Sequence, residues 1–172
     1  MNETIQSLKT RRSIRSFLPK QVERDLLDQV LEAGTYAPTG GGRQVPVIVA
    51  VQDEATVKQL SKMNARALGN DSDPFYGAPT VLVVLAERSR RTYLLDGAAV
   101  ITTLLNAAHA VGLGSCWIHR AKEMFESDEG KALLQKWGLE GDYEGVGNVI
   151  LGYAAGPAPE PAPRKENYII RV

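Results

Sequence analysis

The chain has a single cysteine, Cys116, so no internal disulfide can form, and a reducing cytoplasm is the expected setting. It has only two histidines, His109 and His119. Cys116-x-x-His119 lacks the other two ligands of a zinc site at any recognisable spacing, so no metal is expected, and a Cys-His nucleophile pair is equally unsupported. There is no surplus of either charge: 20 Lys and Arg balance 20 Asp and Glu. That balance disfavours nucleic acid, which is bound through excess cations. No uncharged apolar run reaches membrane-spanning length; the nearest, 97–111, carries Thr102, Thr103, Asn106 and His109, so no membrane partner is expected. The start, Met1-Asn2-Glu3-Thr4, lacks the basic and apolar regions of a signal peptide. A nucleophile elbow, paired catalytic carboxylates and a P-loop are missing too. An enzyme short of all these can still work if a cofactor carries the chemistry.

What is present reads as one domain, residues 1–172, with no repeats. Ile5 and Leu8 suggest a short first helix. Val22, Leu26, Leu27, Val30 and Leu31 recur at helical spacing and predict a helix over 22–35. Residues 45–51 are β-branched and read as a strand near an edge, because Pro46 cannot donate to a ladder. A helix is expected from Asp53-Glu54 to Leu68-Gly69. Residues 80–86 are apolar without alternation, as in a central strand covered on both faces. The segment 92–111 is apolar in nearly every helical direction, so it should be buried all round. One small domain has few ways to cover such a helix, which points to a second copy of the chain. Strands are expected at 115–118 and 145–153, and one helix at 124–137. Residues 154–172 form a Pro-rich, extended arm ending in the strand-like Tyr168-Ile169-Ile170.

The chemistry-bearing stretch is Arg11-Arg12-Ser13-Ile14-Arg15-Ser16-Phe17, with three guanidiniums in five residues and a hydroxyl between them. Forked guanidinium donors match phosphate or carboxylate oxygens; the plainer reading is a solvated basic loop. Ala37-Pro38-Thr39-Gly40-Gly41-Gly42 follows a helix and opens a strand, so it is not a dinucleotide fingerprint, which does the reverse. Trp117 and Cys116 have sound readings as ordinary core residues, and His109 as a structural one.

Taken in order, Arg11 to Phe17, Ala37 to Gln44, Gly77-Ala78-Pro79, Asp96-Gly97-Ala98-Ala99, Gly112-Leu113-Gly114-Ser115-Cys116-Trp117-Ile118, Gly152-Tyr153 and Arg164-Lys165 make the chain resemble the nitroreductase family of FMN-dependent oxidoreductases, nearly end to end. The resemblance implies an α+β fold, with a central, mostly antiparallel sheet flanked by helices, in a strand-exchanged homodimer. The arm 154–172 would dock on the partner subunit. It implies FMN as cofactor, NADH or NADPH as reductant, and a nitroaromatic, quinone, enone or flavin as acceptor in a ping-pong reaction. By resemblance Arg11 and Ser13 reach phosphate or ribityl oxygens, Arg12 acts mainly through its backbone, and Arg15 lies at the pyrimidine side of the ring. Arg164 and Lys165 take the second phosphate-binding position. Pro38, Thr39 and Gly40 line the partner's flavin, with Gln44 beside them, and Cys116, Trp117, Ile118 and His119 run along the ring. Two departures stand out: Gly42 where the family often has Asn, and no Lys after Asn70, which leaves Asn70 as a candidate ring contact and gives Arg15 more to do. Two alternatives stay open: specialised flavin chemistry such as reductive dehalogenation or flavin breakdown, and a non-enzymatic FMN carrier or redox sensor.

Overall fold

The computed structural model describes residues 2–172. Its sheet has four antiparallel strands, β1 (Pro46–Val51), β2 (Thr80–Glu87), β3 (Gly114–Ile118) and β4 (Tyr143–Gly152), in the order β1-β2-β4-β3. The unbroken apolar run therefore lies inside the sheet, and each residue from Val81 to Ala86 is fully buried. Val81, Val83 and Leu85 face α3 (Glu54–Leu68), α5 (Ala121–Glu126) and α6 (Asp128–Lys136), whereas Leu82 and Val84 face α2 (Arg24–Thr35) and α4 (Tyr93–Ala110). Alternation along a strand sends successive side chains to opposite faces, so a strand with helices on both sides must be apolar throughout.

Local chemistry sets several boundaries. Asn2 caps α1 (Glu3–Thr10) by accepting from the Thr4 N–H at 3.0 Å, and Asp53 caps α3 by accepting from Thr56 N–H at 2.8 Å. Helix α3 ends where Gly69 turns left-handed at φ 80°. Between Val84 and Leu85 the β2–β4 register shifts: Val84 faces Gly147 and Leu85 faces Gly145, leaving Val146 as a bulge. Val146 then reaches α4, where a Cβ on Gly97 would stand 2.6 Å from its Cγ2.

One expectation needs correction. The helix expected at 124–137 is two helices, because Ser127 is extended at ψ 157°. Its hydroxyl donates to the Met124 carbonyl at 2.6 Å and accepts from Gly130 N–H at 3.1 Å, closing α5 and capping α6 at once. Helix α4 buries Val100, Ile101, Leu104 and Ala108 against the sheet but leaves Leu94 at 41% and Leu95 at 71% exposure, so in one chain it is not covered all round. In the single chain Tyr168, Ile169 and Ile170 belong to no strand and are 71–80% exposed. Among the described residues no helix is long and apolar enough to cross a membrane.

Candidate functional site

The arginine stretch is not a free loop. Ser13 bridges Ser115 in parallel and Phe17 bridges Ala154 antiparallel. Ile14 N–H donates to Ser115 O at 2.9 Å, Leu18 N–H to Tyr153 O at 2.8 Å, and Ala155 N–H to Ser16 O at 3.0 Å. Ile14 packs onto Gly114, where a Cβ would approach it to 3.0 Å. With Ile14 facing inward, extended alternation turns Ser13 and Arg15 the other way. This pairing between distant backbones has no local sequence signal.

Two cavities flank the stretch. The first, about 760 Å³, is lined by Thr10, Arg11, Arg12, Ser13, Glu160 and Arg164 among others, so both ends of the chain meet there. Arg11 Nη1 is buried and has no hydrogen-bond partner. Arg12 is occupied: its Nη1 donates to the Lys9 and Arg11 carbonyls at 2.9 and 2.8 Å. Arg164 donates to its own arm, at the Ala162 carbonyl. Lys165 does not line this cleft; its ammonium lies 5.1 Å from the centre of the Tyr168 ring. Behind the cleft, His109 Nε2 sits 3.0 Å from Thr10 Oγ1. Burial, then the charges of Arg11 and Arg12, push the His109 imidazole below its ordinary value of 6.5. The neutral form is favoured in the folded chain, so His109's contribution to stability is present above about pH 6.5 and lost as pH falls through the lower folded-state value. His109→Gln should flatten the acid side of a Tm-against-pH profile in the flavin-free protein; an unchanged slope would exclude His109 as its source.

The second cavity, about 390 Å³, is lined by Arg15, Tyr76, Trp117, Ile118, His119 and Arg120 among others. Trp117 is 37% exposed while its neighbour Cys116 is turned into the core at 2%. Strand alternation separates them, so only one of the two side chains is open to this groove. Gly147 makes room for the indole: a Cβ there would lie 2.2 Å from Trp117 Nε1. His119 is exposed, its carbonyl accepting from Asn64 Nδ2 at 2.6 Å, and Arg120 follows in the left-handed region at φ 73°. Asn70 does not line this groove; its Oδ1 accepts from the Ser72 N–H and hydroxyl, turning the loop. Asp73 anchors that loop by accepting from Ser61 Oγ, Phe75 N–H and Gly77 N–H, which holds Tyr76 at φ 53° in the groove wall. Tyr76 and Arg120 were not among the expected residues. An Asp before Pro74 with Gly77 beyond is a legible turn signal; Arg120 has none.

Thr39 and Gln44 line a separate cavity of about 350 Å³ on the α2 side. Gly40 N–H donates to buried Asp96 Oδ1 at 2.9 Å, and Gln44 N–H to Thr39 Oγ1 at 3.1 Å. Pro38 is exposed. Neither Arg11 nor Trp117 lines that cavity.

The first cleft brings together a buried guanidinium nitrogen without a partner, the Ser13 hydroxyl and the Arg164 guanidinium, with the Glu160 carboxylate on the same wall. A tetrahedral oxyanion fits that set. Comparison with known proteins agrees. Residues 8–153 match the model of the Nitroreductase family. A protein of Archaeoglobus fulgidus named NADH dehydrogenase/NAD(P)H nitroreductase is 28% identical over 161 residues, covering 89% of this chain and 86% of that protein. A Bacillus subtilis FMN reductase (NAD(P)H) is 33% identical over 96 residues, 56% of this chain but only 36% of the relative. The crystal structure of a nitroreductase with bound FMN from Bacteroides fragilis superposes with a TM-score of 0.92 at 28% identity over 100% of both chains. Fold, cleft and comparisons converge: the chain belongs to the nitroreductase family.

Proposed function

We propose that the protein is an FMN-dependent NAD(P)H oxidoreductase, and the observation that carries this reading is the buried, unpartnered Arg11 Nη1 in a cleft shared by both ends of the chain. Arg11, Ser13 and Arg164 would hold the phosphate, with Arg12 fixing the end of α1 through the Lys9 and Arg11 carbonyls. The ring would lie in the second groove, where Trp117 and Tyr76 offer flat apolar surface and Arg15 a cation. When bound, FMN accepts a hydride from NADH or NADPH and passes the electrons to a second molecule. Arg15 would stabilise the negative charge that collects on the ring side during that transfer. The groove is open rather than lidded, so donor and acceptor can visit in turn, and nitroaromatic, quinone, enone or flavin acceptors should give parallel lines in double-reciprocal plots. Intersecting lines would reject a ping-pong order.

The functional unit in this reading is a homodimer. Leu94 and Leu95 on α4 and Tyr168, Ile169 and Ile170 on the arm expose apolar surface that a second copy would cover. The partner would also bring Pro38, Thr39, Gly40 and Gln44 to the ring, and its sheet edge would receive the arm 154–172. Removing residues 164–172 should lower the molar mass by light scattering from two chains to one and weaken FMN binding; an intact dimer with full affinity would refute the docked arm.

The decisive test of function is FMN titration followed by anaerobic NADH or NADPH. Bleaching, then recovery on adding an acceptor, is the expected outcome. Bound flavin that stays oxidised would favour the carrier or sensor instead, and turnover confined to halogenated substrates the specialised chemistry.

A further inference from the structure

Asn64 lies on the apolar stripe of α3, four residues after Leu60 and seven after Val57, and like Leu60 is fully buried. Its Nδ2 stands 2.6 Å from the His119 carbonyl and 3.2 Å from Met124 Sδ, while its Oδ1 is buried without a donor. A carbonyl can only accept, so the amide nitrogen must face His119 and the orphaned oxygen is the consequence. As packing this gains little: the amide satisfies one carbonyl and leaves its own buried oxygen without a donor. What the bond achieves is orientation. In a trans peptide the C=O and the following N–H point opposite ways. Drawing the His119 carbonyl toward α3 therefore turns the Arg120 N–H away from α3. That N–H has no hydrogen-bond partner among the described residues, and Arg120, like His119, lines the groove that holds Arg15 and Trp117. Left-handed backbone at a non-glycine residue needs such external support.

We propose that Asn64 is a positioning residue: by gripping the His119 carbonyl it fixes the His119–Arg120 peptide so that the Arg120 N–H faces the flavin ring as a standing donor. This rests on the FMN reading above. A fixed donor at the ring edge favours the more negative, reduced form over the oxidised one. Asn64 touches neither cofactor nor substrate and acts only through the backbone it holds.

The test compares the wild type with Asn64→Leu, similar in volume but unable to donate, and Met124→Leu, which changes the neighbouring contact and keeps the amide bond. In the flavin-free protein the Arg120 backbone amide NMR signal should shift or broaden in N64L and stay in place in M124L. With FMN, N64L should bind the oxidised cofactor nearly as well as wild type and the reduced cofactor roughly tenfold more weakly. Tenfold corresponds to a midpoint potential lower by about 30 mV for a two-electron couple. M124L should keep the wild-type potential. An unmoved Arg120 signal, an unmoved potential, or an equal shift in M124L would overturn the proposal. Should N64L fail to fold, Asn64→Ala removes the same donor and takes its place. If the wild type takes up no FMN, the functional reading fails, whereas the Arg120 signal in flavin-free protein still decides whether Asn64 holds that peptide.

Discussion

Arg11→Met is expected to weaken FMN binding by about ten- to a hundredfold while leaving the flavin-free protein at least as stable as wild type. The two halves of that result have one cause. Arg11 Nη1 is buried with no acceptor among the described residues, and an unsatisfied buried donor costs about 1–3 kcal/mol in general. Methionine keeps much of the aliphatic stem and removes the stranded group. The protein should then lose nothing by heat and lose the charge-assisted bonds, worth about 1.5–3 kcal/mol each, that a phosphate would have made. A purely structural arginine behaves in the opposite way: stability falls and affinity stays. Calorimetry of the flavin-free variant together with FMN titration separates the two cases. Arg12→Met offers the contrast, because its Nη1 already closes the end of α1 on two carbonyls. Its loss should appear mainly in stability.

Gly145→Ala should cost about 2–3 kcal/mol, lowering Tm by roughly 5–10 °C in a chain of this size. Gly145 opens the bulge of β4, and a Cβ there would stand 2.3 Å from the Ala121 carbonyl oxygen and 2.4 Å from its carbon. Those are backbone atoms at the start of α5, so relief requires the helix or the strand to move. A rotamer change cannot provide it. Ala121 directly follows Arg120, and the displacement would pass into the groove wall as well as into the core. Gly147→Ala, two residues on, meets the Trp117 indole at 2.2 Å instead, so it should perturb the spectrum of bound flavin more than the melting temperature. A G145A protein melting with wild type would show that β4 and α5 are less tightly keyed than these distances require.

How much of this was legible in the sequence follows from the range of the forces involved. Strand β2 could be read because continuous burial needs continuous apolarity, and α3 because Asp53 and Gly69 mark its ends with their own side-chain and backbone chemistry. The break at Ser127 was hidden because the apolar period continues across it, from Met124 and Phe125 to Leu133 and Leu134; two bonds of the Ser127 hydroxyl, to Met124 and from Gly130, divide the run. The arginine stretch was legible as an anion-binding composition. Its tether to Ser115 was not, since backbone pairing over a hundred residues apart leaves no local trace. Asn70 does not line the groove, and its amide oxygen turns the loop by accepting from Ser72. Asn64 did leave a signal, an amide on an apolar stripe between Leu60 and the end of α3.

The account turns on whether paired chains hold FMN between them through the Arg11 cleft. The most direct measurement is a titration of flavin-free protein with FMN, followed by the flavin's visible absorption and by molar mass from light scattering in the same sample. The account predicts saturation at one FMN per chain, on a species of two chains, with the binding strongly weakened in R11M. A colourless protein that takes up no FMN, or one that binds it equally well without Arg11, would contradict it.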